Sequence, residues 1–179
     1  MPAEIAEPAW GTLHGEMIEV LLAASRQLER ERSSDDLALL RGPEGMGHLE
    51  LGASRIAFNG NAFLGQAGEP FFIERRARTH VIARVDRHGV RRTVRRCDTA
   101  GHPYDLAVCA MLLVMLRHFE GAIRVGTSGT LRSGWGRAAV LVRATIGECG
   151  QLVQLESGLL RWIDAPAVRA DGRARSSAS

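Results

Sequence analysis

Residues 97–116, CDTAGHPYDLAVCAMLLVML, set two cysteines, a histidine, a tyrosine and two aspartates ahead of and inside a long apolar run. The fold depends on whether this is a reaction centre or the front end of a buried helix. Pro103 suits a first helical position, where its missing N–H costs nothing, and it holds His102 in a non-helical geometry fit for a cap. Asp105 then falls in the first turn, where free N–H groups and the helix dipole favour a carboxylate. Residues 106–116 are apolar on every face, so other elements must cover them all round. Arg117 and His118 suit the last turn, and Gly121 supplies a stop. The stretch predicts a central buried helix over 103–120, with Val108, Leu112 and Met115 nearly inaccessible.

The flanking sequence supplies the cover. In residues 12–32 the positions Leu13, Met17, Val20, Leu21, Ala24 and Leu28 recur at three- and four-residue steps with charged residues between them, the mark of an amphipathic helix. Residues 134–146 repeat the pattern with Trp135, Ala138, Ala139, Val142 and Ile146. Residues 48–58 read as strand, with Gly52 marking a bulge or a division into two pieces. Strand character resumes at Phe71 after the glycine-rich 59–70, and residues 122–126 make another short strand. Residues 151–164 add a strand or short helix. VIARVD and VRRTVRRC flank Arg87-His88-Gly89, which predicts a hairpin with the glycine at a positive φ. The fold expected is a single α+β domain over 11–164: an antiparallel sheet, a basic β-hairpin, a central buried helix and two flanking amphipathic helices. Residues 1–10 read as a flexible N-terminus and 165–179 as a disordered tail.

A domain of 179 residues buries roughly 70% of its unfolded surface, enough to fold without disulfides or metal. Cys97, Cys109 and Cys149 are odd in number and share no C-x-x-C spacing, which argues against a secreted disulfide framework and a zinc ribbon and favours the cytoplasm. The acidic, proline-broken start lacks the regions of a signal peptide. The apolar run of eleven residues falls short of the roughly 20 that span a bilayer. All 23 basic residues are arginine. They are unevenly placed: residues 1–74 carry net −7, residues 75–97 carry nine arginines against Asp86, net +8, and residues 98–179 carry net +2. A basic segment therefore sits beside an acidic half.

The blocks IAFNG (56–60), EPFFIER (69–75), CDTAGHPYDLAVCAMLLV (97–114) and IRVGTSG (123–129), followed by Trp135, resemble a set of uncharacterised small proteins from bacteriophages and GC-rich bacteria. The likeness covers about residues 41–145. At Thr127-Ser128-Gly129 this chain lacks the aspartate of that pattern. The resemblance implies kinship and a phage or prophage setting, and it carries no activity with it.

Two chemical readings follow. In the first, a small enzyme uses Cys97, His102 and Asp105, with Asp98 and Tyr104 beside them, at a helix N-terminus that lowers a thiol's pKa. Each residue also has a plain structural role: Cys97 ends a strand, 99–102 form a cap, Tyr104 packs and Asp105 satisfies free N–H groups. No metal is expected, because the remaining histidines are scattered singly. No cofactor is expected either: GTSGT lacks the phosphate-loop spacing, the chain has no lysine, and no G-x-S-x-G elbow occurs. In the second reading, Arg84, Arg87, Arg91, Arg92, Arg95 and Arg96 on the hairpin contact nucleic acid or an acidic protein, since a two-stranded ribbon tracks phosphates or enters a major groove. Solvent-facing charge that protects an edge hairpin, or pairing with the acidic N-terminal half, explains the same arginines without a partner. The function expected is that of a small non-catalytic accessory or binding protein, with the thiol enzyme as the alternative.

Overall fold

The computed structural model describes residues 4–32, 38–76, 83–85, 91–93, 97–119, 123–127, 134–147, 150–155 and 158–163. These form a single α+β domain of three helices and antiparallel sheets.

Helix α1, Glu7–Glu31, buries the stripe read from the sequence, with Trp10 added at its front. It starts five residues earlier than the hydrophobic period indicates, because Pro8 opens the first turn and Trp10 extends the stripe. Residues 4–10, expected in a flexible N-terminus, are tied into the domain. Ile5 is buried, its N–H donates to the Arg75 carbonyl at 2.9 Å, and Trp10 Nε1 donates to the Ala53 carbonyl.

The larger sheet is built around β3, Arg55–Gly60, which pairs antiparallel with β1, Leu40–Arg41, with β2, Glu50–Gly52, and with β4, Phe71–Glu74. Gly52 does divide the 48–58 run: β2 and β3 are two strands joined at Ala53-Ser54. In the β3–β4 register Ile56 opposes Ile73 and Phe58 opposes Phe71, and all four are buried. The Phe58 and Phe71 rings lie 5.1 Å apart, in the range where aromatic pairs add to area burial.

Strands β5, Ala83–Val85, and β6, Arg91–Thr93, pair antiparallel as the predicted hairpin, in a two-stranded sheet separate from the others. The turn expected at residues 87–89, the segment 33–37 and the tail 165–179 lie outside the described residues.

Helix α2, Asp105–His118, is the central helix, and ten of its fourteen residues are buried. Helix α1, the helix over Gly134–Ile146 and the strand over Leu159–Ile163 pack against it, so few of its faces are left for polar residues. Two details differ from expectation. Leu112 is only partly buried, whereas Met111 and Leu113 beside it are enclosed. The helix also begins at Asp105, not Pro103. The Asp105 and Leu106 N–H groups reach back three residues, to the carbonyls of His102 and Pro103, and the four-residue pattern starts with Val108 on Tyr104. A tight turn thus precedes the helix, as is common at helix starts.

Strand β7, Val125–Gly126, leads toward helix α3, Gly134–Ile146, which has the predicted bounds and buries Trp135, Ala138, Ala139, Leu141 and Val142. The stretch read as a strand or short helix is a hairpin, β8, Gln151–Gln154, and β9, Leu159–Ile163, in a sheet of order β7-β9-β8. Among the described residues no helix is long and apolar enough to cross a membrane.

Candidate functional site

The loop from Cys97 to Tyr104 is pinned against Glu69. Glu69 N–H donates to the Asp98 carbonyl at 3.0 Å, and Asp98 N–H donates to Glu69 Oε2 at 2.7 Å. The Glu69 carbonyl accepts from Tyr104 OH at 3.0 Å and from the Cys97 thiol at 3.3 Å. A left-handed Ala100, φ 49°, followed by Gly101, φ 71°, turns the chain back, and Asp98 Oδ1 accepts from the Ala100 N–H inside that turn. Asp105 Oδ1 then accepts from Thr99 Oγ1 at 2.7 Å, while the Cys109 thiol donates to Asp105 Oδ2 at 3.7 Å. Gly134 opens α3 against this carboxylate, and a β-carbon there would collide with Asp105 Oδ2.

Cys97, His102 and Asp105 are therefore brought to one loop and helix start, but not as a nucleophile and its base. His102 contributes its backbone: its N–H donates to the Thr99 carbonyl and its carbonyl accepts from Asp105. Its imidazole forms no hydrogen bond with a described residue. Burial, and then the negative charges of Glu69, Asp105 and Asp98, push the Cys97 thiol up to about 12. Burial and Asp105 raise Cys109 further still, and burial followed by the same negative surroundings raises Tyr104. A thiolate is the reactive form of cysteine, and this environment works against forming one. Among the described residues no group of three or more His, Cys, Asp or Glu side chains is placed to hold a metal ion.

Sequence reasoning missed the asparagines of F-N-G-N. Asn59 is buried and makes four hydrogen bonds: Nδ2 donates to the Pro43 and Gly68 carbonyls at 3.0 and 2.9 Å, and Oδ1 accepts from the Gly60 and Gly68 N–H groups at 2.8 and 3.1 Å. Asn61 donates to the Ala38 carbonyl and accepts from the Phe63 N–H. Two asparagines flanking a glycine at a strand end are the signal, because such side chains substitute for backbone partners in turns. They join the 42–48 and 61–68 loops and hold Glu69 under the Cys97 turn.

On the basic hairpin, the register sets Arg84 opposite Arg92 and Val85 opposite Arg91. Arg87, Arg95 and Arg96 lie outside the described residues. At the root of the segment two arginines are already engaged by the acidic N-terminus. Arg75 pairs with Glu7 and Glu4 and donates to the Ile5 carbonyl, and Arg76 pairs with Glu4 at 2.9 Å. Pairing with the acidic half thus accounts for these two of the nine cations.

Comparison with known proteins finds no matching family model, no matching curated protein and no matching solved structure.

Proposed function

We propose that the protein is a small non-catalytic binding protein that contacts nucleic acid through the β5–β6 ribbon. The reading is supported most by one observation: Arg84 and Arg92 occupy directly opposed positions in a two-stranded sheet. Like charges placed opposite each other destabilise a strand pair, and a polyanion bound beside them would relieve that repulsion. The sequence adds Arg87, Arg91, Arg95 and Arg96 close by, in a segment of net charge +8. The resemblance to bacteriophage proteins suits an accessory role in a host cytoplasm, where free thiols such as Cys97 and Cys109 stay reduced.

The test is fluorescence anisotropy with labelled DNA and RNA at low salt, comparing the wild type with the variant Arg91→Gln, Arg92→Gln, Arg95→Gln, Arg96→Gln. Binding that falls steeply with salt and is lost in the folded variant is the expected result. No binding by the wild type, or equal binding by the variant, would return the arginines to solvent-facing charge.

A further inference from the structure

We infer that two copies of this chain associate through the outer face of α1, with the two helices antiparallel about a two-fold axis between Leu22 and Ala23. Gly15, Ile18, Leu22, Ser25 and Glu29 recur at three- and four-residue steps, the seam spacing of one helix paired with another. They lie on the side of α1 opposite the stripe it buries in the core. On this side Leu22 is 40% exposed and Ile18 is only partly buried. A β-carbon built on Gly15 meets nothing within 4 Å, so the face is open at that end as well.

An exposed leucine by itself is ordinary, and the charges beside it decide the partner. Glu19 precedes Leu22 by three residues and Arg26 follows it by four, which sets both on one flank of the seam. Both are exposed, and among the described residues neither side chain has an ion-pair partner. A rise of about 10 Å separates them along the helix, too far for them to pair within one copy. Antiparallel pairing sets Glu19 of each copy opposite Arg26 of the other, and the symmetry makes the contact twice. Parallel pairing would set glutamate against glutamate and arginine against arginine. A two-fold interface must be complementary to itself, and this face is so only in the antiparallel sense. The overlap from Gly15 to Arg30 is about 24 Å long, a narrow strip against the roughly 800 Å² per partner of a standard interface. The dimer is therefore weak, reversible and favoured by low salt.

Sedimentation velocity of the full chain over a range of concentrations, without nucleic acid, tests this separately from the role of the ribbon. The expected result is a monomer–dimer equilibrium that added salt and Leu22→Gln both shift toward monomer. Glu19→Arg sets arginine against arginine and Arg26→Glu sets glutamate against glutamate, so each alone should weaken association by roughly tenfold or more. Mixed in equal amounts, these two variants should pair with each other, because each supplies the charge the other lacks at both contacts. The double variant Glu19→Arg, Arg26→Glu should dimerise like the wild type. An unchanged unfolding midpoint checks the fold of each, and if a single variant fails to fold, the double variant still decides. A monomer at every concentration, a dimer indifferent to Leu22→Gln, folded single variants that do not rescue each other, or a folded double variant that stays monomeric would each overturn the inference.

Discussion

Replacing Asn59 tests whether the two glycine loops and the Cys97 turn are one rigid support. Asn59→Ala removes four hydrogen bonds to backbone groups. At roughly 0.5–1.5 kcal/mol net for each, the loss is about 2–6 kcal/mol, a large part of the 5–15 kcal/mol, roughly, that holds a domain folded. Asn59→Asp sharpens the test, because it keeps the shape and both accepted bonds. It also turns the donor toward the Pro43 and Gly68 carbonyls into an acceptor, setting a carboxylate oxygen against two carbonyl oxygens. At neutral pH Asn59→Asp should therefore destabilise at least as much as Asn59→Ala. The introduced carboxyl has a folded pKa raised above its unfolded value, so its neutral, donating form contributes stability that is present at low pH. That contribution is lost as pH rises through the folded pKa. Urea unfolding at pH 4.5 and pH 7, with m-values compared to confirm a common unfolded state, reads the effect. The deficit relative to the wild type should be larger at pH 7. A deficit under about 1 kcal/mol at pH 7, below the value of two ordinary hydrogen bonds, would refute the argument.

Three further outcomes rest on separate observations. Gly11 and Gly15 lie on the exposed side of α1 with open space where a β-carbon would go, so alanine at each should stabilise by about 0.5–1 kcal/mol. Gly60→Ala, where the β-carbon would collide with the Gln66 carbonyl, should destabilise, and thermal midpoints moving the other way would refute the packing. Cys97, pushed up to about 12, should alkylate slowly at pH 8 and speed up continuously as pH rises further. A labelling rate that levels off below pH 8 would restore the thiol enzyme.

The helices were legible because burial imposes a period: the α1 stripe, the bounds of α3 and the enclosure of α2 all follow from where apolar residues recur. The start of α1 was not, because Trp10 and Pro8 precede any full period and Ile5 is held by the Arg75 carbonyl, 70 residues away and just past the end of β4. Leu112 escaped for a related reason. An all-apolar helix gives no internal sign of which position its neighbours leave partly uncovered. In the 97–105 stretch the residue types suggested chemistry, but the partners that decide their roles, Glu69 and Gly134, lie far off in sequence. A thiol beside three carboxylates is a poor nucleophile, and of the three only Asp98 adjoins it in sequence, while the fold brings up Glu69 and Asp105.

The central claim, that contact is made by the arginine ribbon and that the cysteine-bearing turn is scaffold, is tested most directly by hydrogen exchange with and without duplex DNA. Binding through the ribbon predicts slowed exchange in peptides covering residues 83–93 and little change in those covering 97–109. Protection centred on 97–109, with 83–93 unaffected, would contradict it and move the site to the helix that the opening stretch begins.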